Sequence, residues 1–163
     1  MPTDLDHVAI INRIIQILQN DSELYDSTGA GGKIRQWFNG MPSTVQTPPY
    51  LAIYVLNELD VPMAPVVSNV LQQSEHTFTY ELLLVDIGKT SDTSEQGILG
   101  WVKRIKEVIK GNYSLQDPTQ HNDPKVFTCH PKQTVLSRGT LPAPISKPGV
   151  AALMQLELYA TTA

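Results

Sequence analysis

A chain of 163 residues with 41% hydrophobic and 17% charged side chains is long enough to bury a core as one ordinary domain, and its composition excludes wholesale disorder, collagen and coiled coil. The formal net charge of −4 and a pI near 5.5 set the whole-molecule field against a phosphate backbone, which argues against tight nucleic-acid binding. A lone cysteine, Cys129, excludes an intramolecular disulfide and suits a reducing cytoplasm, while the start MPTDLDHVAI shows no export signal and no apolar run approaches the ~18 residues of a membrane span.

From Asp4 to Asn20 the apolar Val8, Ile10, Ile11, Ile14, Ile15, Ile17 and Leu18 occupy one half of a helical wheel. Asn12, Arg13, Gln16, Gln19 and Asn20 lie opposite, which predicts an amphipathic helix. Asp4 or Asp6 can cap its start, and the Asn20–Ser22 turn suits its end. Residues 21–49 are rich in Gly, Ser, Thr and Pro and predict a long loop with an isolated apolar cluster, Ile34, Trp37 and Phe38. That cluster packs either into the core or against another subunit.

Tyr50 to Leu56, YLAIYVL, is apolar on both alternating sets and predicts a strand covered on both faces, opened by Pro48 and Pro49. A second strand is predicted from about Thr77 to Ile87, half-exposed at first and buried at its end. Between them, residues 59–75 predict an extended arm, because Val61, Met63, Val66, Val67, Val70 and Leu71 are too apolar for a freely solvated loop.

Asp92 and Glu95 stand at capping-box spacing before a second helix that ends at Gly111-Asn112. Ile98, Trp101, Val102, Ile105, Val108 and Ile109 form a narrower stripe, suited to a helix lying on one sheet face. Lys103, Arg104, Lys106 and Lys110 fall on its solvent side, as a solvated face or else a local binding patch. Three short strands are predicted to follow, Val126 to His130, Thr134 to Arg138 and Val150 to Ala160, with an irregular proline-rich segment at 139–149.

The glycines of Thr28 to Arg35, TGAGGKIR, lack phosphate-loop spacing and a preceding strand. His7, His76, His121, Cys129 and His130 form no metal set of recognised spacing, and on a strand Cys129 and His130 point to opposite faces. There is no GxSxG elbow, and the carboxylate pairs Glu58 with Asp60 and Asp117 with Asp123 fall in turn-like text. No catalytic, cofactor or metal residue is assigned, and an α+β single domain acting through surfaces shown to other subunits is expected in place of an enzyme.

The order of elements resembles the tail terminator, or tail completion, proteins of long-tailed bacteriophages. The likeness is carried by HVAIINRIIQILQN, TPPYLAIYVLNE, HTFTYELLLVDIG, GILGWVKRIKEVIKG and GVAALMQLELYA, a pattern over most of the chain. It implies a mainly antiparallel sheet packed by two amphipathic helices and a homohexameric ring in the virion, assembled in the host cytoplasm. That ring would cap the tail tube, end its polymerisation and join the tail to the neck connector. The implied partners are further copies of the chain, the tail tube protein, neck proteins and the tail sheath; no cofactor or membrane is implied, and genome DNA passes without specific binding. The arm residues Val61, Met63, Val66, Val67, Val70 and Leu71, with Ile34, Trp37 and Phe38 in the loop, are the candidate subunit contacts, and Glu58, Asp60 and Glu75 the candidate lumen charges. A neck or head-closure ring, the cap of a contractile injection system, and a small cytoplasmic enzyme or binding module stand as alternatives.

Overall fold

The half-cylinder of isoleucines forms α1 (His7–Gln19), started by Asp6, whose side chain accepts a 3.0 Å bond from the Ala9 N–H. In this computed structural model, which describes residues 5–26, 33–44, 46–62, 74–87, 91–115 and 125–162, the other elements are β1 (Gln36–Asn39), β2 (Tyr50–Pro62), β3 (Ser74–Ile87), α2 (Ser91–Gly111), β4 (Lys125–Thr140) and β5 (Pro148–Thr162). The strands make one sheet in the order β1-β2-β3-β5-β4, antiparallel except for the β1–β2 pair. This is an α+β fold with a mainly antiparallel sheet and two packed helices.

Strand alternation decides where the core lies. Phe78, Tyr80, Leu82 and Leu84 of β3 and Val150, Ala152, Met154, Leu156, Leu158 and Ala160 of β5 are all buried, and they share one cluster with Ile10, Ile14, Ile17 and Leu18 of α1 and Ile98, Val102, Ile105 and Ile109 of α2. Both helices therefore cover the same face, α1 over β1 and β2 and α2 over β3, β5 and β4. The intervening residues, from Thr79 to Leu83 on β3 and from Ala151 to Tyr159 on β5, look out from a face that no described helix covers.

Three departures from the sequence expectations have physical causes. The predicted loop contains β1, a four-residue strand too short to show a period within Gly- and Pro-rich text. Coverage of β2 on both faces holds for Leu51, Ala52 and Ile53, all 0% exposed, whereas Val55 and Leu56 are 42% and 45% exposed, because β1 pairs only with Tyr50 to Ile53. The two short strands expected at 126–130 and 134–138 are one continuous β4. Pro131 lacks an N–H but is tolerated because β4 is an edge strand, and register shifts at Val126/Thr128 and Pro131/Gln133 absorb the irregularity.

The irregular segment shrinks to the turn from Leu141 to Lys147, closed by a 2.9 Å bond from the Leu141 N–H to the Lys147 carbonyl, while Gly139 and Thr140 still pair with Gly149 and Pro148. The arm between Pro62 and Ser74 lies outside the described residues. Phe78, 0% exposed, sits at the centre of the covered face, so Phe78→Ala should cost about 3–5 kcal/mol and Asp6→Ala about 1 kcal/mol in equilibrium urea unfolding. A Phe78→Ala loss no larger than that of the cap variant would contradict this account of the core.

Candidate functional site: sheet edges and a His–Glu–His cluster

The polar chemistry concentrates where the first turn of α1 meets β2 and β3. His7 Nδ1 lies 2.8 Å from the Tyr80 hydroxyl and His7 Nε2 lies 2.6 Å from Glu58 Oε2, while His76 Nδ1 is 3.2 Å from Glu58 Oε1. One proton assignment satisfies all three contacts: Tyr80 O–H donates to His7 Nδ1, and N–H groups of His7 and His76 donate to the two oxygens of Glu58. The His7 ring also meets Phe78 edge-on, with centroids 5.2 Å apart.

A register shift places Glu58 here. Val55 pairs with Tyr80 and Asn57 with Thr79, so Leu56 is bulged out of the ladder. Without that extra residue Asn57 would face α1 and Glu58 would face away, since a one-residue slip exchanges the two faces of a strand. The bulge brings Glu58 opposite Phe78 and Asp60 opposite His76. Spacing in the sequence does not reveal this, because His7, Glu58, His76 and Tyr80 come from three elements.

Hydroxyl, imidazole and carboxylate stand in the order of a nucleophilic triad, but Tyr80 is 0% exposed. Burial, with the Cys129 thiol and the Glu58 and Asp6 carboxylates adding to it, pushes the Tyr80 hydroxyl further up from its ordinary value, so it holds its proton. Burial likewise pushes the Cys129 thiol up to about 12. The cluster ties α1 to the sheet and leaves no accessible nucleophile within it.

A second polar region joins the end of α1 to the middle of α2. Arg104 donates to Asp21 Oδ2 from Nε at 3.0 Å and from a terminal nitrogen at 2.6 Å, and it lies 3.4 Å from both Glu23 and Glu107. The adjoining groove of about 390 Å³ is lined by Arg13, Ile17, Asn20, Asp21, Arg104, Glu107, Val108, Gly111 and Asn112. Lys103 also approaches Glu107, at 3.9 Å, so two of the four basic residues predicted on this helix already face carboxylates.

The candidate contact residues separate. Ile34 is 1% exposed and belongs to the core, where its N–H donates to the Leu24 carbonyl. Trp37 is half-buried, donating from Nε1 to the Ile34 carbonyl and meeting Tyr25 edge-on; Phe38 is half-buried against Tyr50. Val61 lies in β2 with its side chain outside the description, and Met63, Val66, Val67, Val70 and Leu71 lie outside the described residues. Of the candidate lumen charges, Glu58 is held between two imidazoles, Glu75 faces the Tyr159 hydroxyl, and Asp60 is placed only by its register opposite His76.

Apart from Leu99 on α2, the exposed apolar residues missed by the candidate set gather on two flanks. On the α1–β1–β2 side stand Val8, Met41, Val55, Leu56 and Leu59, between 42% and 63% exposed. Asn39 ties that flank together by donating to the Val8 carbonyl and the Asn12 side chain. At the opposite edge Val135 of β4 is 48% exposed and Tyr113 is 59% exposed, the latter joined to β4 through the bond from the Cys129 N–H to its carbonyl. Among the described residues no group of three or more His, Cys, Asp or Glu could hold a metal, and no helix is long and apolar enough to cross a membrane.

Among solved structures, the fold is similar to a chain in the virion of a native gene transfer agent particle, with 10% identity, coverage of 93% of this chain and 92% of that one, and a TM-score of 0.48. No family model matches the chain, and no curated protein is significantly similar to it in sequence.

The Arg104 guanidinium holds the Asp21 carboxyl below the usual carboxylate range, against the opposing effect of burial. A depressed folded value means stability that is present above the unfolded value of about 3.9 and lost as pH falls through the folded one. Arg104→Met should therefore lower stability at pH 7, and the gap to the parent protein should close as pH falls below the unfolded value and through the depressed folded one. Urea midpoints between pH 7 and pH 2 check this, and a gap independent of pH would assign the loss to packing.

Proposed function

We propose that the chain is a structural virion protein whose copies close into a ring, a hexamer as in the family it resembles, at the head-proximal end of a phage-like tail tube. The ring ends tube polymerisation and joins the tail to the neck connector. The observation that carries the ring is the pair of unlike apolar flanks at opposite sheet edges, Val8, Met41, Val55, Leu56 and Leu59 on one and Tyr113 and Val135 on the other. Two different patches that meet head to tail generate a closed ring when each contact adds a fixed rotation.

The tail assignment rests on the element order of the sequence, which the fold retains: amphipathic helix, long loop, strand after Pro48-Pro49, long second strand, one helix on the sheet and a closing strand. A net charge of −4 per subunit suits a channel through which DNA slides without being held. Within this proposal Asp60 and Glu75 are assigned to the channel wall, and Glu58 is withdrawn from it to dock α1. A neck ring or an injection-system cap would use the same flanks and differ in partner.

Light scattering across a concentration series, alone and with tail tube protein, tests the proposal. A hexamer alone or on tube ends supports it; a monomer that ignores tubes sinks it. Leu59→Asp and Val135→Asp should each abolish the ring, since each buries an unpaired carboxylate in one half of the contact. Mixed together, the two variants should form dimers and no larger species, because each retains one intact patch. Rings formed by either variant alone would exclude these flanks.

A further inference from the structure

We infer that copies of this chain join by backbone pairing of sheet edges, the outer edge of β2 beyond Ile53 receiving the outer edge of β4 from the next copy. The inference deepens the ring proposal and rests on it.

The β2 edge is released by Gly40. Its N–H donates the last bond across that edge, 2.7 Å to the Ile53 carbonyl, and its φ of +94° then turns the chain off the ladder in a conformation that glycine adopts without strain. Beyond it, from Val55 to Pro62, no bond from the outer side of β2 to another described residue is present. On the far side of the sheet β4 is the other edge strand. Its first half carries Pro131 and both register shifts, which are devices that discourage pairing, but the stretch from Gln133 to Thr140 runs in unbroken register on β5. Past the Leu56 bulge, residues 57–62 run in unbroken register on β3 as 133–140 do on β5, and a regular edge of six to eight residues is an aggregation hazard unless something covers it.

Charge selects the partner. The β2 sequence YLAIYVLNELDVP carries Asp60 and the imidazole-held Glu58 and no basic residue, and the β4 sequence KVFTCHPKQTVLSRGT carries Lys125, Arg138 and Lys132, the last also 2.6 Å from Glu157 of β5, and no acidic one. Two β2 edges or two β4 edges would bring like charges together, whereas β2 against β4 joins opposite ones, so the occupant of each edge is the other edge of a second copy. Val55 and Leu59 on one strand and Val135 on the other, 42%, 63% and 48% exposed, add apolar contact at the seam.

Paired cysteines test this. Val55→Cys or Leu59→Cys is combined with Val135→Cys or Ser137→Cys in one chain, giving four double variants, and each is oxidised gently beside its two single variants. Cys129, fully buried with its thiol pushed up to about 12, stays out of the reaction. At least one double variant should lose its monomer band to a ladder ending at the closed ring, while the single variants stay uncrosslinked, because cysteines on paired strands fall within disulfide reach. Disulfide dimers from a single variant would show like edges meeting and overturn the inference. Rings of the parent mass with no cross-link in any double variant would overturn it too, yet leave the ring proposal standing; monomers in light scattering would remove both.

Discussion

The structure depends on the two-residue period of β3 and β5, the central antiparallel pair of the sheet. Because Phe78 to Leu84 and Val150 to Ala160 present every second side chain to one face, that face alone is apolar enough to hold both helices. The isoleucines of α1 and the stripe of α2 meet there. All later choices follow from a sheet covered on one side, with its other face and its two edges left for other uses.

The Leu56 bulge breaks the matching alternation of β2. It turns Glu58 toward α1, where a carboxylate accepts from two imidazoles, and the His7 ring in turn accepts from a buried phenol. A buried hydroxyl left without a partner would cost roughly 1–3 kcal/mol, so the bulge and the helix cap at Asp6 together place His7 where Tyr80 needs it. The bulge falls within the segment of β2 past Ile53 that β1 does not pair with, where Val55 and Leu56 are 42% and 45% exposed. One inserted residue thus fixes the docking of α1.

The two ends of the sheet are unlike, and that asymmetry unites the ring proposal with the edge-pairing inference. One edge is acidic, bulged and partly covered by a short parallel strand; the other is basic, proline-marked in its first half and regular in its second. Unlike edges favour head-to-tail contact over two-fold pairing, and head-to-tail contact is the geometry of rings. The Arg104–Asp21 contact links the turn after α1 to the middle of α2.

By itself the sequence determined the amphipathic helices, the α+β class, the closing strand and the opposite orientation of Cys129 and His130, because each is written as a local period of 3.6 or 2. Burial did not follow from apolar character alone: the fold takes Ile34 into the core and leaves Leu59 and Val135 exposed. Only the tertiary structure decided the parallel β1 pairing, the fusion of two predicted strands into β4, the bulge that turns Glu58, and the order of strands across the sheet. Those depend on contacts between residues tens of positions apart, and a strand's neighbour, unlike its alternation, leaves no periodic trace in the chain.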